Sequence, residues 1–236
     1  EALALYAYAD AQKHYDKALA HRTDRDVLLH AADACRRQNK LNDAAARYRA
    51  ADSIAPLHGD AAFNYGRTLM AMGEYGQAQA RFINVLNDQP ERHDALDLLG
   101  SCQGYRSFFA DSARYTVAPM PLTGVATAFS PVPFKGGLLF TGERERGPGK
   151  KDPWNGLSFL DLYRAPIDAQ GNAGTPTPLK GTVNGPYHEG SATLTKDGKT
   201  LYFTRSNYYS RKLLKDKENV SNLKLFRATL DSTGAW

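Results

Sequence analysis

Cysteine is scarce in this chain: Cys35 and Cys102 are the only two in 236 residues. One pair cannot supply a disulfide framework, and the spacing fits no zinc motif. Both sit in helically patterned stretches, where buried free thiols acting as small apolar residues are expected. No run of eighteen apolar residues occurs, so a membrane-spanning helix is excluded. Catalytic signatures are missing as well. His188-Glu189 opens H-E-G-S-A, without the second histidine four residues on that would put two metal ligands on one helical face, and reads as a polar loop contact. Glu189-Gly190-Ser191 leads into a strand, whereas a nucleophile elbow needs a sharp turn into a helix. Gly147-Pro148-Gly149-Lys150 has Arg144 where a phosphate loop needs its first glycine and Lys151 where it needs Ser or Thr. It reads as a basic turn. Asp152, Asp161 and Asp168 lack calcium-loop spacing. No catalytic residue, metal or cofactor is expected.

What is present is ordinary globular composition, 42% hydrophobic and 23% charged, in a length that suggests two modules. The net charge of +5 is uneven: residues 1–110 carry 13 basic against 14 acidic side chains, and residues 111–236 carry 17 against 11. Arg205, Arg211, Lys212, Lys215 and Lys217 form a basic cluster, either a solvated loop or a weak contact for an anionic surface. No basic helix or stacking-aromatic motif accompanies it, so no nucleic-acid partner is expected. The helical pattern is already under way at Glu1, and the chain reads as a piece of something longer.

The first half repeats every 34 residues. Pro56 and Pro90 share that spacing, as do Ala44 and Ala78, Tyr48 and Phe82, Ala51 and Val85, Leu41 and Tyr75, and Ala32 and Gly66. Small residues at 32, 44, 66 and 78 let antiparallel helices approach, aromatics at 48 and 82 fill the space between hairpins, and the prolines end each second helix. Complete units are expected over Arg25–His58, which lacks a mid-turn glycine, and from Gly59 to about Arg92. Ala11, Tyr15 and Ala18 mark a preceding second helix whose own partner begins at or before Glu1. Ala95, Leu96, Leu99 and Gly100 open another first helix that continues through Cys102 and Tyr105 and closes the array.

These positions resemble the tetratricopeptide pattern. The resemblance implies a superhelix whose concave groove binds a protein partner, lined by outward positions of each first helix. Those are Asp26, His30, Asp33 and Arg37 in one unit, and Asp60, Phe63, Asn64 and Arg67 in the next. Phe63 is the expected exposed anchor. The mixed charges argue against a cytoplasmic co-chaperone, which would need a Lys/Arg clamp.

Strand signals take over after about Ser112. Candidate strands are Gly137–Thr141, Leu160–Ala165, Leu201–Arg205 and Leu223–Thr229. The clearest hairpin, Ser191–Arg205, turns at Asp197-Gly198, which supplies positive φ angles. An earlier copy turns at Gly136-Gly137, with a slightly longer connection. Phe140 to Phe203 and Tyr163 to Phe226 both span 63 residues, the mark of a duplication. Units of four short strands, with insertions near 143–156 and 206–221, suit about two blades of a β-propeller.

The hairpin is similar to WD-like repeats of TolB-type propellers. A helical array followed by such a propeller, with V-N-G-P-Y-H-E-G-S-A before the hairpin and N-L-K-L-F-R-A after it, resembles OmpA-family envelope proteins, most closely the PorE-type components associated with type IX secretion. The expected fold is therefore α + β: a tetratricopeptide solenoid over 1–111 and a partial propeller over 112–236. The resemblance implies a non-catalytic, periplasmic, outer-membrane-associated scaffold. Protein partners would bind the groove and the propeller, and peptidoglycan only a domain outside this chain. The competing expectation is a propeller-gated peptidase or other hydrolase whose catalytic domain lies elsewhere.

Overall fold

The computed structural model describes residues 6–144 and 150–236. The expected helix before Glu1 and the Gly147-Pro148-Gly149 turn lie outside them. The chain divides into two compact units: Glu1–Val117 with Pro153–Gly156, and Ala118–Asp152 with Leu157–Trp236.

The first unit contains α1 (Tyr8–His21), α2 (Arg25–Arg37), α3 (Leu41–Ile54), α4 (Gly59–Ala71), α5 (Tyr75–Asp88) and α6 (His93–Gly104). Asp24 caps α2 by accepting from the amides of Asp26 and Val27. Gly73 (φ 80°) ends α4 in the left-handed region. The missing glycine one repeat earlier is replaced by Asn39 at φ 58°, asparagine being the next residue to tolerate that region. Both turns close alike, the amide of Lys40 bonding Cys35 O and that of Glu74 bonding Leu69 O.

Packing follows the repeat. Ala32, Cys35, Ala44, Tyr48, Ala51, Gly66, Leu69, Ala78, Phe82 and Val85 are all buried. Tyr48 stacks on Tyr65 at 5.5 Å, and burial pushes its hydroxyl up to about 12. Cys35 and Cys102 are buried in the same core, which raises both thiols. Between second helices runs an ion-pair ladder, Arg47 to Asp16 and Arg81 to Asp52, each at 2.8 Å. After α6 there is no second helix: two 3-10 turns follow, Tyr105–Phe109 and Ser112–Arg114, and Tyr105 stacks on Tyr75 at 4.2 Å.

The second unit is built from β1 (Val125–Pro133), β2 (Gly137–Arg144), β3 (Asp161–Pro166), β4 (Thr177–Pro178), β5 (Glu189–Leu194), β6 (Thr200–Ser206), β7 (Tyr208–Tyr209), β8 (Lys212–Leu213) and β9 (Leu223–Thr229). They form an antiparallel sheet β1-β2-β3-β4, a second sheet β5-β6-β9, and the ribbon β7-β8 inside the expected 206–221 insertion. The fold class is therefore α + β. Among the described residues these sheets are open, and no closed barrel or propeller forms.

The duplication is written into the pairing register. Gly137↔Pro166, Leu138↔Ala165 and Phe140↔Tyr163 in the first sheet become Thr200↔Thr229, Leu201↔Ala228 and Phe203↔Phe226 in the second. Two turn expectations are corrected. The first hairpin turns tightly at Lys135-Gly136, both at positive φ, because Phe134 and Gly137 exchange backbone bonds. The second has the longer loop: Thr195 N–H bonds Thr200 O, only Gly198 takes positive φ, and Asp197 accepts from Thr195 Oγ1 and Lys199 N. Asp168 and Asp231 follow β3 and β9 in matching side-chain-to-backbone turns, accepting from Gln170 and Asn172, and from Thr233 and Ala235.

The tightest constraint in the array is at Gly66, where an added Cβ would stand 2.7 Å from Phe82 Cε1. Ala would gain about 1 kcal/mol of helix propensity but force overpacking that costs typically 1–3 kcal/mol. Gly66→Ala is expected to lower the urea midpoint of the helical CD signal, and Phe82→Leu in the same chain to recover most of that loss.

Candidate functional site

Each unit carries one concave surface of interest. In the first, α2, α4 and α6 contact one another in turn along the array. Of the residues expected there, Asp26 and His30 are exposed on α2, His30 stacking on Tyr15 at 5.8 Å. Asp33 is half-buried and paired with Arg36 and with Arg37, the latter at 3.5 Å. Asn64 is half-buried and Arg67 exposed on α4.

Phe63 does not stand out as an anchor. It is only 7% exposed and packs on Phe82 at 5.9 Å. The helical period explains this: 60, 64 and 67 share the outer face, whereas 63 falls with buried Ala62 and Gly66. Arg92 covers the ring at 4.1 Å and bonds Asp60 at 2.8 Å and Asp94 at 3.0 Å.

The hollow that does open is about 250 Å³, lined by Arg67, Met70, Ala71, Tyr75 and Leu98. Only Arg67 of the expected set borders it. Leu98 occupies, one repeat on, the position of Asn64, and Asp94 that of Asp60. The 34-residue period carried into α6 names both. Arg92 had no such signal, because its counterpart His58 bonds Asp88 at 2.7 Å instead.

The second unit holds a cleft of about 430 Å³ whose wall includes Arg144, Phe159, Asp161, Gly185, Tyr187 and Tyr208, with Lys150 and Arg211 at its rim. Arg144 Nε donates to Tyr163 Oη at 3.0 Å, and burial raises the Asp161 carboxyl. Behind Gly185 lies Glu189, 1% exposed, its Oε2 accepting from Gly185 N–H at 2.9 Å. Burial lifts this carboxyl from its ordinary 4.5 to about 8, against the lowering effect of that amide bond. His188 donates toward Asp152 at 3.3 Å through Nε2 and accepts from Leu160 N–H through Nδ1. Both ring nitrogens are thus engaged. Among the described residues no group of three or more His, Cys, Asp or Glu could hold a metal ion.

Two outcomes follow from this geometry. Arg92→Ala removes a cation–π contact and the apolar cover of Phe63, so a loss of about 1 kcal/mol or somewhat more is expected, whereas Asp60→Asn should cost under about 0.5 kcal/mol. Phe63→Ala, a core truncation, should cost about 3–5 kcal/mol; thermal unfolding of the three variants checks the ranking. For Glu189, the folded state holds a proton that the unfolded chain releases, so stability declines as pH rises from about 4.5 to about 8. Glu189→Gln should melt above the parent at pH 8.5 and close to it at pH 5, read by the β-sheet CD signal.

Residues 36–102 match the tetratricopeptide repeat family model, the stretch that spans the end of α2 through α6. No curated protein matches the chain. Six helices with this match make the first unit a tetratricopeptide-like region, and such repeats suggest a protein–protein interaction scaffold.

Proposed function

We propose that the chain is a non-catalytic scaffold of the bacterial cell envelope that grips a protein partner in the groove of its helical array. The observation that carries this is the hollow between α4 and α6. It places Met70, Ala71 and Leu98 beside the exposed guanidinium of Arg67, an apolar seat with one charged edge. Partner segments of an amphipathic kind fit such a seat.

The placement in the envelope, and a link between a secretion or motility complex and the outer membrane, rest on the resemblance of the array and the sheets after it to OmpA-family proteins of the PorE type. The two sheets read as consecutive blades of a propeller. The repeated register supports this, each β2/β3 pair recurring in β6/β9.

The full chain, immobilised, is expected to retain a partner from solubilised envelope proteins. Arg67→Glu combined with Met70→Asp should abolish retention while leaving the melting temperature within a degree or two. Retention that survives the double substitution in a folded chain would remove the groove from the account.

A further inference from the structure

The cleft of the second unit has no part in the groove reading, and its chemistry is specific. Three rings line up on one side: Phe159 meets Tyr187 edge-on at 5.4 Å, and Tyr187 meets Tyr208 at 5.5 Å. The cations Arg144, Lys150 and Arg211 stand around the opening, and among the described residues Asp161 is the one carboxylate lining it. Arg144 is already oriented by the Tyr163 hydroxyl, so its fork is held ready for an anion. Asp161 lies 3.9 Å from the Arg144 Nη2 and remains able to accept from a ligand N–H.

The floor adds an independent observation. Gly185 lines the cleft, and Glu189 behind it is buried, with Oε1 making no hydrogen bond among the described residues. A Cβ at 185 would stand 3.1 Å from that oxygen, so a larger residue in the floor would press on the buried carboxyl. Burial keeps this carboxyl protonated at neutral pH, so it does not repel an anionic ligand.

We infer that this cleft is a second binding site, for a peptide carboxylate flanked by an aromatic or aliphatic residue, with Arg144 and Arg211 on the carboxylate, Asp161 on a peptide N–H and the Phe159–Tyr187–Tyr208 wall on the side chain. Inorganic phosphate would use the cations but leave the rings and Asp161 idle. A sugar acid would also find the rings and the hydroxyls of Ser158, Tyr187 and Tyr208, so glucuronate is the competitor that the titration has to separate.

The test titrates the full chain, by calorimetry and by ¹⁵N chemical-shift mapping, with acetyl-Ala-Phe bearing a free carboxylate, its carboxamide, glucuronate and inorganic phosphate. The free-acid peptide is expected to bind and to shift residues of the cleft. The carboxamide should bind about tenfold more weakly, the loss of one charge-assisted contact. Arg211→Glu and Tyr187→Ala should each weaken the acid peptide about tenfold without changing the melting curve, and neither should affect partner retention by the helical groove. The inference is overturned if the acid peptide does not bind, if acid and amide bind equally, if phosphate or glucuronate binds as tightly, or if both folded variants bind like the parent.

Discussion

Close approach of helices at small residues is the constraint on which the helical unit depends. Gly66 leaves room for Phe82 to lie against its backbone, and Ala32 and Ala44 are buried as fully as any residue in the core. A side chain added at such a point cannot be absorbed by solvent, since interiors are packed to crystal-like density. Stacking then propagates from one hairpin to the next, and the spacing of first helices sets the size of the hollow between α4 and α6. The hollow is thus a by-product of core packing, reached through backbone distance.

Arginine is used structurally more than its surface distribution suggests. Arg47 and Arg81 tie successive second helices through Asp16 and Asp52, and Arg92 spreads over Phe63 while holding two aspartates. Each pair contributes modestly, as partly exposed ion pairs do. Their shared effect is orientation: a planar fork with bonds on two sides fixes the angle at which one repeat meets the next.

The repeat, its helices and the two buried thiols were legible in the sequence because periodicity and residue size are one-dimensional signals. So was the 63-residue duplication, which the pairing register repeats pair by pair. The faces were less legible. The repeat pattern places Phe63 outward, yet one position of helical rotation turns it into the core. Arg92 covers it from 29 residues away in sequence, a distance no local pattern spans. Leu98 could have been found by carrying the period one unit further. In the sheets, Asp197-Gly198 does lie in the second turn, but neither it nor Gly136-Gly137 fixes which residues exchange backbone bonds, so the first turn falls one residue earlier and the second loop is the longer. Glu189 gave no sign of its burial, since a lone glutamate near a histidine looks like any polar loop.

The identical register of the two strand pairs bears on how the chain reaches its fold. β2 presents Leu138 and Phe140 where β6 presents Leu201 and Phe203, and the partners β3 and β9 offer Ala and an aromatic at matching positions. Pairing β2 with β9 therefore satisfies nearly the same side chains as pairing it with β3. The discrimination falls to chain entropy: a closure roughly five times longer costs only about 1.4 kcal/mol more. Refolding at high concentration offers the same strands from a neighbouring chain, so exchange of β-strands between copies is the misassembly this duplication invites.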